Sequence, residues 1–118
     1  MPQSLPDAPT LLGAAVKYLE DELLPSLDGY HRFKTRVTAN VLNTIRRELE
    51  LRGKQAAAER ERLAAILGHD GEVDALSLEL SERIRLGAID LNDPALRAHL
   101  RQSVADALAI NNPKWINR

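Results

Sequence analysis

Apolar residues recur every three or four positions along most of the chain, the spacing that places side chains on one face of an α-helix. No segment alternates apolar and polar residues over the length of a strand, and no hairpin signal separates two β-rich runs. Four of the 118 residues are aromatic, so a core has to consist of Leu, Ile, Val and Ala. Leu and Ala are strong helix formers. The pattern therefore predicts an all-α fold.

Five amphipathic helices are predicted, joined by short turns that Gly or Pro marks. They cover about residues 10–24, 30–52, 55–67, 72–86 and 94–110. A chain of this length is typical of one domain, so we expect a single compact bundle over residues 1–118. The proline-rich residues 1–9 and the residues 111–118 are predicted to be short tails.

Capping residues indicate where several of these helices begin and end. Thr10 is the expected N-cap of the first helix, and Gly53 is the glycine expected to end the second. The clearest helix start is Asp93-Pro94, because Asp is a favoured N-cap and Pro fits the first helical position.

The second helix carries an apolar face that we expect to point into the core. Its members are Tyr30, Phe33, Val37, Val41, Ile45 and Leu49. A polar strip runs beside this face, at positions i, i+4, i+7 and i+11: Arg36, Asn40, Asn43 and Arg47. Two guanidiniums with amides between them can bind a phosphate or carboxylate, or a partner protein. The alternative, which we favour, is a boundary strip that is largely buried and bonded within the domain.

Glu48 is anomalous because a helical wheel places it inside the apolar arc of the second helix. A carboxylate in that position needs a partner, since burying it unpaired is costly. An arginine of the same domain is the expected partner. A general base in a cleft is the alternative, but no nucleophile or second acid lies nearby in the sequence.

Charge and composition exclude several classes of function. Sixteen basic and seventeen acidic residues argue against a nucleic-acid-binding protein. The chain has no cysteine, and its three histidines are dispersed, so neither a metal site nor a cofactor is predicted. We expect no membrane span and no secretory signal, and therefore a cytoplasmic protein. No catalytic motif is recognised, and no catalytic residue is assigned.

Three fragments carry a family resemblance: RVTANVLNTIRRELEL (36–51), ERLAAILGHDGEVDALSLELSERIRLGAIDL (61–91) and ADALAINNPKW (105–115). They resemble an uncharacterised bacterial family, a domain of unknown function. The resemblance implies an occurrence beside, or fused to, aminoglycoside-phosphotransferase-like kinases and acyl-CoA dehydrogenases, and it implies no activity. The matching residues are Arg36, Asn40, Arg47, Glu48, Ile84, Arg85, Gly87, Asn112 and Pro113. The catalytic residues of the neighbouring kinases have no counterpart around His69-Asp70-Gly71.

These observations favour a non-enzymatic accessory domain that interacts with an acyl-CoA dehydrogenase or a phosphotransferase-like enzyme. The alternative is a domain that binds a small anion, or an enzyme, using Arg36, Asn40 and Arg47 with Glu48 as acid or base. A homodimer is also expected. Its predicted surface is the apolar stripe of the first helix, formed by Leu12, Val16, Leu19 and Leu23.

Overall fold

A computed structural model describes residues 6–115, and every regular element in that range is helical. The α-helices are α1 (Ala8–Tyr18), α2 (Gly29–Leu67), α3 (Val73–Arg85) and α4 (Pro94–Asn111). A π-helical turn, Leu19–Leu23, and a 3₁₀ turn, Leu24–Ser26, follow α1, and another 3₁₀ turn, Pro113–Trp115, follows α4. The prediction of an all-α fold is confirmed. The number of α-helices in the described range is four rather than about five.

Helix α2 accounts for that difference, because it continues through Gly53 without a break. A glycine ends a helix when it adopts the left-handed conformation, as Gly68 does with φ 84° at the end of α2. Gly53 does not have a positive φ, and Lys54-Gln55-Ala56 after it are good helix formers. Helix propagation past Gly53 therefore outweighs the roughly 1 kcal/mol that a mid-helix glycine costs.

The start of α1 also differs from the prediction. Asp7, not Thr10, is the N-cap, and its carboxylate accepts a hydrogen bond of 3.0 Å from the Thr10 backbone N–H. The helix begins two residues earlier than expected, so Pro9 belongs to its first turn and not to a tail.

After α1 the spacing of the backbone hydrogen bonds widens, and the Leu24 N–H bonds to the Leu19 carbonyl, five residues back. Pro25, which has no N–H to donate, explains this rearrangement.

Capping at α3 and α4 agrees with the sequence. Asp93 accepts hydrogen bonds from the N–H groups of Ala95 and Leu96, with Pro94 at the first helical position. Gly87 has φ 77° and ends α3, and the Ala88 N–H reaches back to the Arg83 carbonyl at 2.8 Å. These bonds satisfy backbone groups that a helix end otherwise leaves unpaired.

The chain forms two compact units, one up to Arg52 and the other from Gly53 onward. Among residues 6–52 of the first unit, the buried apolar residues are Val16 and Ala39. In the second unit a leucine core joins the end of α2 to α3 and α4: Leu63, Leu67, Leu76, Leu80 and Leu96. The single domain over residues 1–118 stays a prediction.

Most of the apolar stripe of the first helix is shielded from solvent. Val16 is buried, and Leu12, Leu19 and Leu23 are half-buried. The stripe is therefore largely covered, which removes it as the expected open surface for a second copy. Among the described residues, no helix is long and apolar enough to cross a membrane.

Candidate functional site

The predicted polar strip lies on the part of α2 that belongs to the first unit, and half of it is open to solvent. Arg36 is exposed and makes no hydrogen bond or ion pair with any residue in the range 6–115. Asn40 is exposed too, and its backbone carbonyl accepts a 2.9 Å hydrogen bond from the Thr44 hydroxyl. The expectation of a largely buried strip is therefore wrong for these two residues, because no other element of the unit covers them.

The other members of the strip are held by neighbours on α2. The Nη2 of half-buried Arg47 donates to Thr44 Oγ1 at 3.3 Å, and Asn43 Oδ1 accepts from Arg46 Nε at 3.2 Å. These bonds are local, one turn of helix apart. The strip thus contains one open guanidinium and does not converge on a single point.

Glu48 is half-exposed and accepts a hydrogen bond from Arg52, one turn further along α2. The expected arginine partner within the same domain is therefore present. However, the pair lies at the surface, where ion pairs contribute little stability. The carboxylate is not enclosed in a cleft, and this geometry does not favour a general base.

The apolar face of α2 is open, contrary to the expectation that it points into the core. We call it the α2 stripe, and its six side chains are 40–67% exposed: Tyr30, Phe33, Val37, Val41, Ile45 and Leu49. A different side of α2 faces inward. There Ala39 is buried, and Gly13 of α1 lies so close to Arg46 that a Cβ would be 3.8 Å from the arginine Cδ. Exposed apolar patches of this kind are typical of interaction surfaces.

A second open apolar surface lies on α4, in the second unit. Leu100 and Val104 are exposed, and with Ala105, Leu108 and Arg101 they line a shallow groove of about 440 Å³. We call it the α4 groove. Arg101 is exposed and, among the residues described, has no hydrogen-bond or salt-bridge partner. The groove therefore combines an apolar floor with one open guanidinium.

The sequence model of a domain of unknown function, DUF6285, matches residues 25–115. The chain belongs to the DUF6285 family. All three fragments that carried the resemblance lie inside the matched range, and so do the α2 stripe and the α4 groove. Searches of curated proteins and of solved structures gave no match. The family assignment is thus confirmed, whereas the enzymes beside or fused to DUF6285 domains are a matter for proposal.

Sequence reasoning missed a polar cluster inside the second unit of this DUF6285 chain. His99 of α4 is 5% exposed, and its Nδ1 accepts a 3.1 Å hydrogen bond from Arg62 Nε. Arg62 Nη2 lies 3.7 Å from Asp106 Oδ2, and the Asp106 carbonyl accepts from Gln55. The available signal was the position of His99, three residues after the buried Leu96 and so on the same helix face.

The chemistry of this cluster is structural. Burial lowers the pKa of His99, the charge of Arg62 lowers it further, and Glu59 opposes both effects. Because a guanidinium N–H can only donate, Nδ1 of His99 must be unprotonated, and the ring is neutral with its proton on Nε2. The cluster joins α2 to α4 through hydrogen bonds.

The turn between α2 and α3 holds a second network. Asp70 accepts two hydrogen bonds from Arg60, at 2.8 and 3.2 Å, and His69 Nε2 lies 2.7 Å from Glu79 Oε1. The hydrogen bond to Glu79 raises the pKa of His69, and the bond to Arg60 lowers the pKa of Asp70. Arg83 also donates to Glu79. These hydrogen bonds hold the turn between α2 and α3 together.

Proposed function

We propose that this DUF6285 chain is a non-enzymatic accessory module of the cytoplasm that binds a partner enzyme through the α4 groove. The observation that supports this proposal is the open apolar row on α4 beside an unpaired arginine. The family resemblance suggests the partner: an acyl-CoA dehydrogenase or a phosphotransferase-like enzyme. The segment that docks is an amphipathic helix with acidic side chains along its edge.

The geometry of the α4 groove fits such a helix. Leu100, Val104 and Leu108 follow one another at four-residue spacing and form a single row about 12 Å long, at 1.5 Å per residue. Arg97 and Arg101 form a parallel row beside it. An amphipathic helix that binds a groove does so through anchors at i, i+3, i+4 and i+7.

Charge favours a different protein over a second copy of this chain. None of the described residues that line the α4 groove is acidic. Helix α4 contains one acidic residue, Asp106, and its carboxylate lies next to Gln102 and Arg62. Two copies packed groove to groove would bring arginines together, whereas an acidic helix would pair with them.

The test is the binding of purified candidate enzymes to the full chain, measured by calorimetry. The candidates are a phosphotransferase-like enzyme and an acyl-CoA dehydrogenase, the two classes that the family resemblance implies. We expect one of them to bind and Val104→Asp to weaken binding at least about tenfold, because a charge in the apolar row is desolvated on docking.

Leu78→Asp is the matched control, since Leu78 is equally exposed but lies on α3. It should bind as the wild type does, and circular dichroism should show that both variants stay helical. Failure of both enzymes to bind the wild type, or unchanged binding by Val104→Asp, contradicts the proposal.

A second candidate function is the binding of a small anion at Arg36. It is favoured by the open guanidinium of Arg36 and the exposed Asn40 amide one turn further along α2. Arg47 and Glu48, which complete the predicted set, are bonded to Thr44 and Arg52. An anion would thus be held by one strong donor, which makes this function the weaker of the two.

A further inference from the structure

The α2 stripe belongs to the first unit, whereas the α4 groove belongs to the second. We propose that a second copy of this chain packs on the α2 stripe. The two α2 helices would run antiparallel, with Val41 of each copy at the twofold axis. This inference is independent of the proposed enzyme partner, because it uses other residues on another helix.

From Phe33 to Leu49, the spacing of the stripe is symmetric about Val41. From Phe33 to Leu49 every fourth residue is apolar, and Val41 is the middle one of the five. In an antiparallel pair, Phe33 therefore faces Leu49 of the partner subunit, and Val37 faces Ile45 of the partner subunit. A twofold interface requires a surface that is complementary to itself, and this register provides one.

Side-chain size follows the geometry of such a crossing. A row of every fourth residue is the ridge that packs ridge-into-groove at an angle of about −50°. Helices at this angle are closest at the crossing point and diverge on both sides. The β-branched Val37, Val41 and Ile45 occupy the centre, and Phe33, the largest side chain of the row, occupies the end, where the gap to Leu49 of the partner subunit is wider.

The charges of the stripe obey the same symmetry. Lys34 and Glu48 each lie seven residues from Val41, on opposite sides, so Lys34 faces Glu48 of the partner subunit twice in the antiparallel pair. A parallel pair would instead place lysine against lysine and glutamate against glutamate. The surface pair of Glu48 with Arg52 is weak and can be exchanged for the new contact.

Two further basic residues of this segment, Arg46 and Arg32, do not oppose the pairing. Arg46 is half-buried and bonded to Asn43 and Glu50, and Arg32 donates to the carbonyls of Leu24 and Leu27. Both are held within their own unit. A stable interface typically buries about 800 Å² per partner, which one helix crossing does not reach. We therefore expect an affinity in the micromolar range.

The experiment is sedimentation equilibrium of the full chain from low micromolar to several hundred micromolar. The mass should rise from the 13.1 kDa monomer towards twice that value. Val41→Asp should remain a monomer throughout. Leu11→Asp, on the exposed side of α1, is the matched control and should dimerise as the wild type does.

A charge exchange tests the antiparallel register itself. Lys34→Glu and Glu48→Lys should each weaken the dimer about tenfold, because each places two like-charge pairs at the interface, and the double variant should restore it. A wild type that stays monomeric, a Val41→Asp variant that still dimerises, or a double variant without rescue would overturn the proposal. Val104→Asp should dimerise as the wild type does. A failure of the dimer proposal can therefore be distinguished from a failure of enzyme binding.

Discussion

Two histidines of the second unit have opposite electrostatic surroundings. His99 is buried against the guanidinium of Arg62, which favours the neutral ring and lowers its pKa. His69 lies between Glu79 and the Asp70 carbonyl, which favour the charged ring and raise its pKa. The same titration therefore has opposite effects on folding at the two sites.

The contributions of these two histidines to folding stability should change with pH in opposite directions. The contribution of His69 to the free energy of unfolding is fully present below the pKa of the unfolded chain, near 6.5. It is lost as pH rises through the higher pKa of the folded state. The contribution of His99 to the free energy of unfolding is fully present above pH 6.5. It is lost as pH falls through the lower pKa of the folded state. Ring-proton NMR should show His69 titrating above 6.5 and His99 below it, and His99→Gln should remove the loss on mild acidification. Two midpoints in the reverse order would refute this assignment.

Arg36 and Arg62 are the same residue type in contrasting positions. Arg36→Ala should change the free energy of unfolding by no more than about 0.5 kcal/mol, since the side chain is exposed and unpaired in the described range. Arg62→Ala should cost about 1–3 kcal/mol, because it removes the donor to the buried His99 ring. Urea unfolding measures both.

Added phosphate or coenzyme A extends the Arg36 test to the anion-binding function. Ligands that bind only the folded state raise its melting temperature by mass action. We expect neither anion to protect the wild type. Protection that Arg36→Ala abolishes would instead establish an anion site at this position and favour the second candidate function.

At the scale of elements, α2 shows what decides where a helix ends. Gly68 and Gly87 have positive φ and end their helices, whereas Gly53 continues one. Composition around a glycine does not determine which of these outcomes occurs. The outcome depends on whether the following residues leave the helix to pack elsewhere, and those after Gly53 stay in α2 to reach Leu63 and the leucine core.

Gly53→Ala should stabilise the protein by about 0.4–1 kcal/mol. The position is helical, a Cβ meets no atom within 4 Å, and alanine reduces the entropy of the unfolded chain. Gly68→Ala is the control and should cost about 1–2 kcal/mol, because its φ of 84° is strained for any residue with a Cβ. Chemical denaturation gives both values. A destabilising Gly53→Ala would indicate that the helix breaks there, as the sequence suggested.

At the scale of the whole molecule, the leucine core carries the stability of the second unit. Leu96 is 0% exposed and packs with the leucines of α2 and α3. We expect Leu96→Ala to lower the free energy of unfolding by about 2–5 kcal/mol through lost burial and a residual cavity. Leu91→Ala, at an exposed position in the preceding turn, should change it by less than about 0.5 kcal/mol. Equal effects of the two variants would contradict this core.

The candidate sites were only partly accessible from the sequence. The spacing of the α2 stripe was readable, but this face was expected to point into the core. Periodicity locates an apolar face without indicating what covers it. The Arg62–His99 contact joins residues 37 positions apart, and no local pattern encodes such a pair.

The sequence by itself determined the helical class, the start of α4 at Asp93-Pro94 and the glycine ends at Gly68 and Gly87. These features follow from backbone propensity and from capping bonds within a few residues, so neighbours along the chain suffice. Only the tertiary structure decided that α2 continues through Gly53, that Val16 and Ala39 are buried while the α2 stripe is open, and that His99 is neutral. Those outcomes depend on which surfaces meet, because burial is a property of contacts between distant segments.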